Sequence, residues 1–200
     1  MRLIKGLVMA VGVLGILVIF ALITGFYLYS LSPSILGRAV PVAVTADAAQ
    51  SFDQKLESID SQIEAAVEAR EKREVNLTVT EEEVNSKLVQ MLAEGQLPLK
   101  RVLVNFGDGY FLAYAVFDAP VIDAKTGTIG RVDIVDGKPK VIIDEFNLGK
   151  LPVPDAAKIR VEQLANLVVS SETAGIPIDI NSVEIANHEL IINGTTRTGE

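Results

Sequence analysis

Cysteine and tryptophan are absent from the 200 residues, and histidine occurs once. Without cysteine there is no disulfide, no thiol nucleophile and no cysteine metal site, so any folded part must be held by its core alone. The single histidine, His188, falls in an Asn187-His188 turn, where an exposed turn residue is expected. No G-x-S-x-G elbow, phosphate-binding loop, H-E-x-x-H or EF-hand loop occurs. Asp108, Asp118, Asp123, Asp133, Asp136 and Asp144 are scattered through turns and strand ends, where aspartate serves local hydrogen bonding. No pair among them stands out for glycoside chemistry, although carboxylates distant in sequence can still meet in a fold. A non-catalytic protein without metal or cofactor is expected, with an envelope-polymer hydrolase as the last of the alternatives.

Charge is missing from one long stretch. Gly6 to Tyr29 is 24 residues without an acid or base. At about 1.5 Å per residue this run is long enough to cross a hydrocarbon core of about 30 Å. Arg2 and Lys5 precede it and Arg38 is the first basic residue after it, so the N-terminus is expected in the cytoplasm and residues 30–200 outside. A cleaved leader is the competing reading. Its apolar region would be about 7–15 residues long, and the nearest small-x-small site here, Ala46-Asp47-Ala48, lies far downstream. Residues 30–200 carry all 26 acidic residues and 16 of the 18 basic ones. Such a surface is repelled by phosphate backbones, which argues against nucleic acid as a partner.

What is present divides the chain into an anchor (1–29), a Ser/Pro/Gly/Ala connector (30–46), an amphipathic stalk helix (47–73) and an extracytoplasmic domain (74–200). The stalk, capped by Asp47 or Ser51, carries Phe52, Leu56, Ile59, Ile63 and Val67 as one narrow stripe at helical period. Packing on the domain is one reading of that stripe. A homodimer seam through Phe52, Leu56, Ile59 and Ile63 is the other.

From Glu74 the period changes to two. "EVNLTVT" alternates as a half-buried strand with Val75, Leu77 and Val79 on one face. In "TEEEVNSKLVQMLAEG", Thr80 and Glu83 form a capping box, Val84, Leu88, Met91 and Leu92 an inward face, and Gly95 a stop. Hairpins are expected at 101–106 with 110–117, at 130–135 with 138–146 through Asp136-Gly137, and around Asn187-His188. Between the last two, Pro154-Asp155 opens a helix with Ala157, Val161, Leu164, Ala165 and Val168 facing inward. "DEFNLGKLPVP" (144–154) then reads as the passage from strand to helix, with Gly149 for a sharp turn.

"YFLAYAVF" is apolar on both faces, whereas a strand of a sheet facing water alternates with polar residues. Either both faces are covered, or Phe111, Ala113, Ala115 and Phe117 line a groove for something greasy. Those four residues are the candidate ligand-binding set.

"LTVTEEEVNSKL" (77–88), "VDGKPKV" (135–141) and "LGKLPVP" (148–154) resemble the membrane-anchored YpmS-like proteins of bacteria and, more distantly, the LmeA-like group. The resemblance implies an extracytoplasmic domain with a curved sheet wrapped on a helix, similar to tubular lipid-binding proteins, and brings no catalytic residue. The fold expected is α+β: one curved antiparallel sheet on two helices, preceded by a transmembrane helix and a stalk. The function expected is an envelope binding module for a lipid or amphipathic partner, with a structural or assembly subunit of a membrane complex as the alternative.

Overall fold

The computed structural model describes residues 25–118, 123–151, 153–173 and 175–197. Most of the anchor run, residues 1–24, lies outside them. Among the described residues no helix is long and apolar enough to cross a membrane. The fold is α+β. Strands β2 (Leu99–Phe106), β3 (Phe111–Phe117), β4 (Ala124–Val135) and β5 (Lys138–Leu148) form one antiparallel sheet in the order β2-β3-β4-β5. Strands β1 (Glu74–Thr80), β6 (Ile178–Ala186) and β7 (Glu189–Thr196) form a second, ordered β1-β7-β6. Three helices accompany them: α1 (Ala46–Ala69), α2 (Glu81–Ala93) and α3 (Asp155–Thr173), with a 3-10 turn at Ser34–Arg38.

The local signals hold where the chemistry is local. Asp136 and Gly137 adopt φ of 52° and 69°, and Asn187 and His188 φ of 53° and 64°, the left-handed pair that a two-residue hairpin turn requires. Thr80 and Glu83 close a reciprocal capping box at the start of α2.

A single curved sheet on two helices is not what forms. The reason lies at the edges of the four-stranded sheet. Side chains of α2 occupy the outer hydrogen-bonding groups of β2, and side chains of α3 those of β5. The last hairpin therefore cannot extend that sheet and pairs with β1 instead. Two backbone bonds between hairpin tips and β6 join the sheets: Gly109 N–H to Ile185 C=O at 2.7 Å and Ile180 N–H to Gly137 C=O at 3.1 Å.

Helix α1 also departs from expectation. Its cap is Thr45, whose hydroxyl accepts from Ala48 N–H, in place of Asp47 or Ser51; the helix stops at Ala69, where Arg70 turns left-handed. It packs on the domain, the first of the two readings of its stripe. Lys55 Nζ donates to Thr78 C=O and Glu83, both at 2.8 Å, and Lys87 pairs with Asp53 at 2.8 Å. Of the expected seam, Ile63 is buried within the chain, Phe52 and Ile59 are half-buried, and Leu56 is outward.

Residues 33–40, read as connector, cover one face of the four-stranded sheet. Ile35 is fully buried against Leu112 and Ile129. Gly127 permits the approach: a Cβ there would stand 3.2 Å from side-chain carbons of Pro33 and Ile35. Asn105 binds both the N–H and C=O of Val40 at 3.0 Å, doing with a side chain what a neighbouring strand does with its backbone.

The strand-to-helix passage has a further role. Residues 25–30 are helical, and their end rests on Gly149 and Lys150: Lys150 N–H donates to Leu28 C=O at 2.8 Å, and Lys125 Nζ to Ser30 C=O at 3.1 Å. Gly149 has φ of 57°, and a Cβ would lie 2.6 Å from Leu28 O, so only glycine fits without displacement.

Candidate functional site

The candidate site lies on β3. Its Leu112, Tyr114 and Val116 point to the face that Ile35 seals and are 2%, 4% and 8% exposed. Burial pushes the Tyr114 hydroxyl up from its ordinary pKa, against a smaller opposing pull from Arg101. The other face carries the candidate residues, and the register shows their neighbours. Ala113 lies between Val104 and Thr128, and Ala115 between Val102 and Thr126. Phe146 and Leu148 of β5 follow beyond Thr128 and Thr126. Directly opposed residues share a face, so two alanines and two threonines form a block of small side chains between larger apolar ones on β2 and β5.

Phe111 and Phe117 stand at the two ends of this block, six residues or about 20 Å apart along the strand. They differ. Phe111 packs across Gly130, where a Cβ would meet its ring at 2.9 Å. Phe117 is 41% exposed. Beside it, Lys100 bridges Asp118 at 2.9 Å and Asp123 at 2.7 Å. Hydrogen bonds to Asp123 and Asp118 hold the Lys100 ammonium above its ordinary pKa. On the floor, the Thr126 hydroxyl donates to Ala115 C=O at 3.3 Å and so presents little unmet polarity. The structure brings all four candidates onto one face and leaves Phe111, Ala113 and Ala115 half-buried. Their neighbours on β2 and β5 are apolar, and the Lys100–Asp118–Asp123 ion pairs lie near the Phe117 end.

Helices α2 and α3 bound this sheet by gripping its edge strands with polar side chains. Each presents a glutamate and an asparagine four residues apart to an edge strand. On α2, the Glu81 carboxylate accepts from Phe106 N–H, while Asn85 binds Val104 N–H at 2.9 Å and Val104 C=O at 2.7 Å. On α3, Glu162 accepts from Ile143 N–H at 3.0 Å, while Asn166 binds the N–H and C=O of Val141, both at 2.8 Å. The signal was in the sequence as a recurring E-x-x-x-N, "EEEVN" and "EQLAN".

This feature alters two expected faces. The most buried residues of α2 are Glu81, Glu83, Asn85 and Ser86, with Val84, Leu88, Met91 and Leu92 only half-buried. On α3, Ala157, Val161 and Ala165 are half-buried as expected, while Leu164 and Val168 are 63% and 59% exposed. Glu81, Asn85, Glu162 and Asn166 face in because a strand edge, unlike a sheet face, offers N–H and C=O groups that must be paired, whereas Glu83 and Ser86 are buried under α1.

Two titratable groups outside this face, Glu83 and His188, are held by neighbours in the fold. Burial alone would raise the Glu83 carboxyl pKa, but hydrogen bonds from Lys55, Ser51 and Thr80 N–H, with the Lys55 charge, outweigh it and hold the group below its ordinary value. His188 is not isolated: its Nδ1 lies 3.1 Å from Glu81 Oε1, with the side chain 75% exposed. Glu81 is already bonded to Phe106 N–H and approached by Asn105 at 3.4 Å, so the pair ties the β6–β7 turn to the end of β2. Among the described residues no group of three or more His, Cys, Asp or Glu is placed to hold a metal. No model of a known protein family matches the chain, and no curated protein matches it in sequence.

Proposed function

We propose that this chain is a membrane-anchored, extracytoplasmic binding module that receives an acyl chain or the apolar side of an amphipathic envelope partner on the Phe111, Ala113, Ala115 and Phe117 face. One observation carries the reading. Strand β3 fills one apolar face with Ile35 and keeps a second apolar face half-exposed, where water favours polar residues. The uncharged run at Gly6–Tyr29 supports the anchor, and the resemblance to YpmS-like proteins points the same way. Phe26 and Tyr27, 53% and 61% exposed where the run meets the domain, suit a headgroup layer.

The second reading, a structural or assembly subunit, is favoured by α3, which turns Leu164 and Leu167 outward. One substitution separates the two. If the β3 face receives a ligand, Ala115→Trp occupies the ligand's place with little loss of stability and abolishes the stabilisation that added lipid gives the unaltered protein. If that face is closed in the working protein, tryptophan overpacks it and costs about 1–3 kcal/mol. Unfolding curves with and without lipid, beside native mass spectrometry of the gently purified protein, decide the matter. A large stability loss with no lipid-dependent shift in either protein refutes the binding reading.

A further inference from the structure

Because α2 and α3 grip opposite edges of one sheet with the same glutamate–asparagine pair, positions on the two helices correspond. Glu81 matches Glu162 and Asn85 matches Asn166, so Glu83 and Ser86 match Leu164 and Leu167. On α2, both of those positions are covered by α1 and the residue before it. Ser51 Oγ donates to Glu83 at 2.6 Å, Lys55 Nζ does so at 2.8 Å, and Ser86 Oγ accepts from Thr45 N–H at 3.1 Å. On α3 the matching leucines are 63% and 65% exposed, with Ile159 at 51%. The layer that α1 supplies outside α2 has no counterpart outside α3 among the described residues.

We propose that a second copy of this chain supplies it, α3 packing antiparallel against α3 in a homodimer. The match with α1 identifies the occupant as a helix lying alongside, and the leucines call for an apolar stripe on it. Helix α3 itself carries such a stripe, and a two-fold pair buries each stripe on the other. Charge selects the same surface. The chain has a net charge of −8, so two copies repel wherever acids are dense. Helix α1 has six acidic residues and one basic; α3 has three and two. In an antiparallel pair with its axis level with residue 166, Arg160 of one helix lies opposite the last turn of the other. The last turn of a helix is its negative end. This seam differs from the one the sequence suggested on α1, where Ile63 is already buried within the chain.

The absence of cysteine makes the test clean. Single variants Leu167→Cys, near the proposed axis, Leu56→Cys, on the outward side of α1, and Ser58→Cys are made in the full chain and oxidised after purification. Leu167→Cys is expected to move the 21.5 kDa chain to a band of twice that mass, while the two α1 variants stay monomeric. Adding Leu164→Asp to Leu167→Cys should abolish the dimer with an unchanged far-UV spectrum. The proposal is overturned if Leu167→Cys cross-links no more than Ser58→Cys, if Leu56→Cys cross-links in its place, or if the dimer survives Leu164→Asp. It is equally overturned if a dye on Leu167→Cys shifts on binding lipid vesicles while no disulfide dimer forms, since the stripe then faces lipid.

Discussion

Replacing Asn85 with alanine tests whether the two edge clasps are energetically alike. Asn85 is 2% exposed and makes three hydrogen bonds, two to the backbone of Val104 and one to Glu81 C=O at 2.7 Å. Alanine leaves the Val104 N–H and C=O without partners beneath a helix that is itself covered by α1. An orphaned buried group costs about 1–3 kcal/mol, so two of them near the lower end give a loss of about 2–4 kcal/mol. That is a large share of a typical total of about 5–15 kcal/mol. Asn166→Ala removes the same two strand bonds from β5, but Asn166 is itself only half-buried where Asn85 is 2% exposed. Water can take over there, and only the net worth of the bonds is lost, about 1 kcal/mol. Urea unfolding of the three proteins, followed by circular dichroism, measures both differences. Asn85→Asp should be no better than alanine, because its carboxylate keeps the bond to Val104 N–H but faces two carbonyl oxygens. Equal losses at Asn85 and Asn166, or a loss below about 0.5 kcal/mol at Asn85, which is the range of ordinary surface changes, would refute the reasoning.

The Glu83 carboxylate makes stability depend on acid. Its folded pKa lies below the ordinary 4.5, so its contribution is complete above that value and is lost as pH falls through the lower, folded one. Glu83→Gln should therefore flatten the acid limb of a plot of urea midpoint against pH; an unchanged slope would assign acid sensitivity to other groups. The proposed topology predicts that Ser58→Cys, exposed on α1, is labelled by an impermeant reagent in intact cells. Labelling only after lysis, with the chain still membrane-bound, would reverse the orientation.

Local chemistry is what the sequence determined by itself. The Asp136-Gly137 and Asn187-His188 turns, the Thr80–Glu83 capping box and the alternation of β1 need only residues within a few positions of one another, and all form where their residues stand. The two apolar faces of β3 were likewise visible, because an eight-residue run without polar alternation cannot be an ordinary water-facing strand. Tertiary structure decided which face is filled. Ile35 is 77 positions before Leu112, and nothing in its own neighbourhood announces that it will seal that strand. It also decided that the sheet would divide, since the outer groups of β2 and β5 are taken by Asn85 and Asn166, side chains that periodicity reads as solvent-facing. Apolar periodicity identifies a helix face by the hydrophobic effect alone. When a helix meets a strand edge, the unpaired N–H and C=O groups there make hydrogen bonding outweigh apolar burial, and the polar face turns inward.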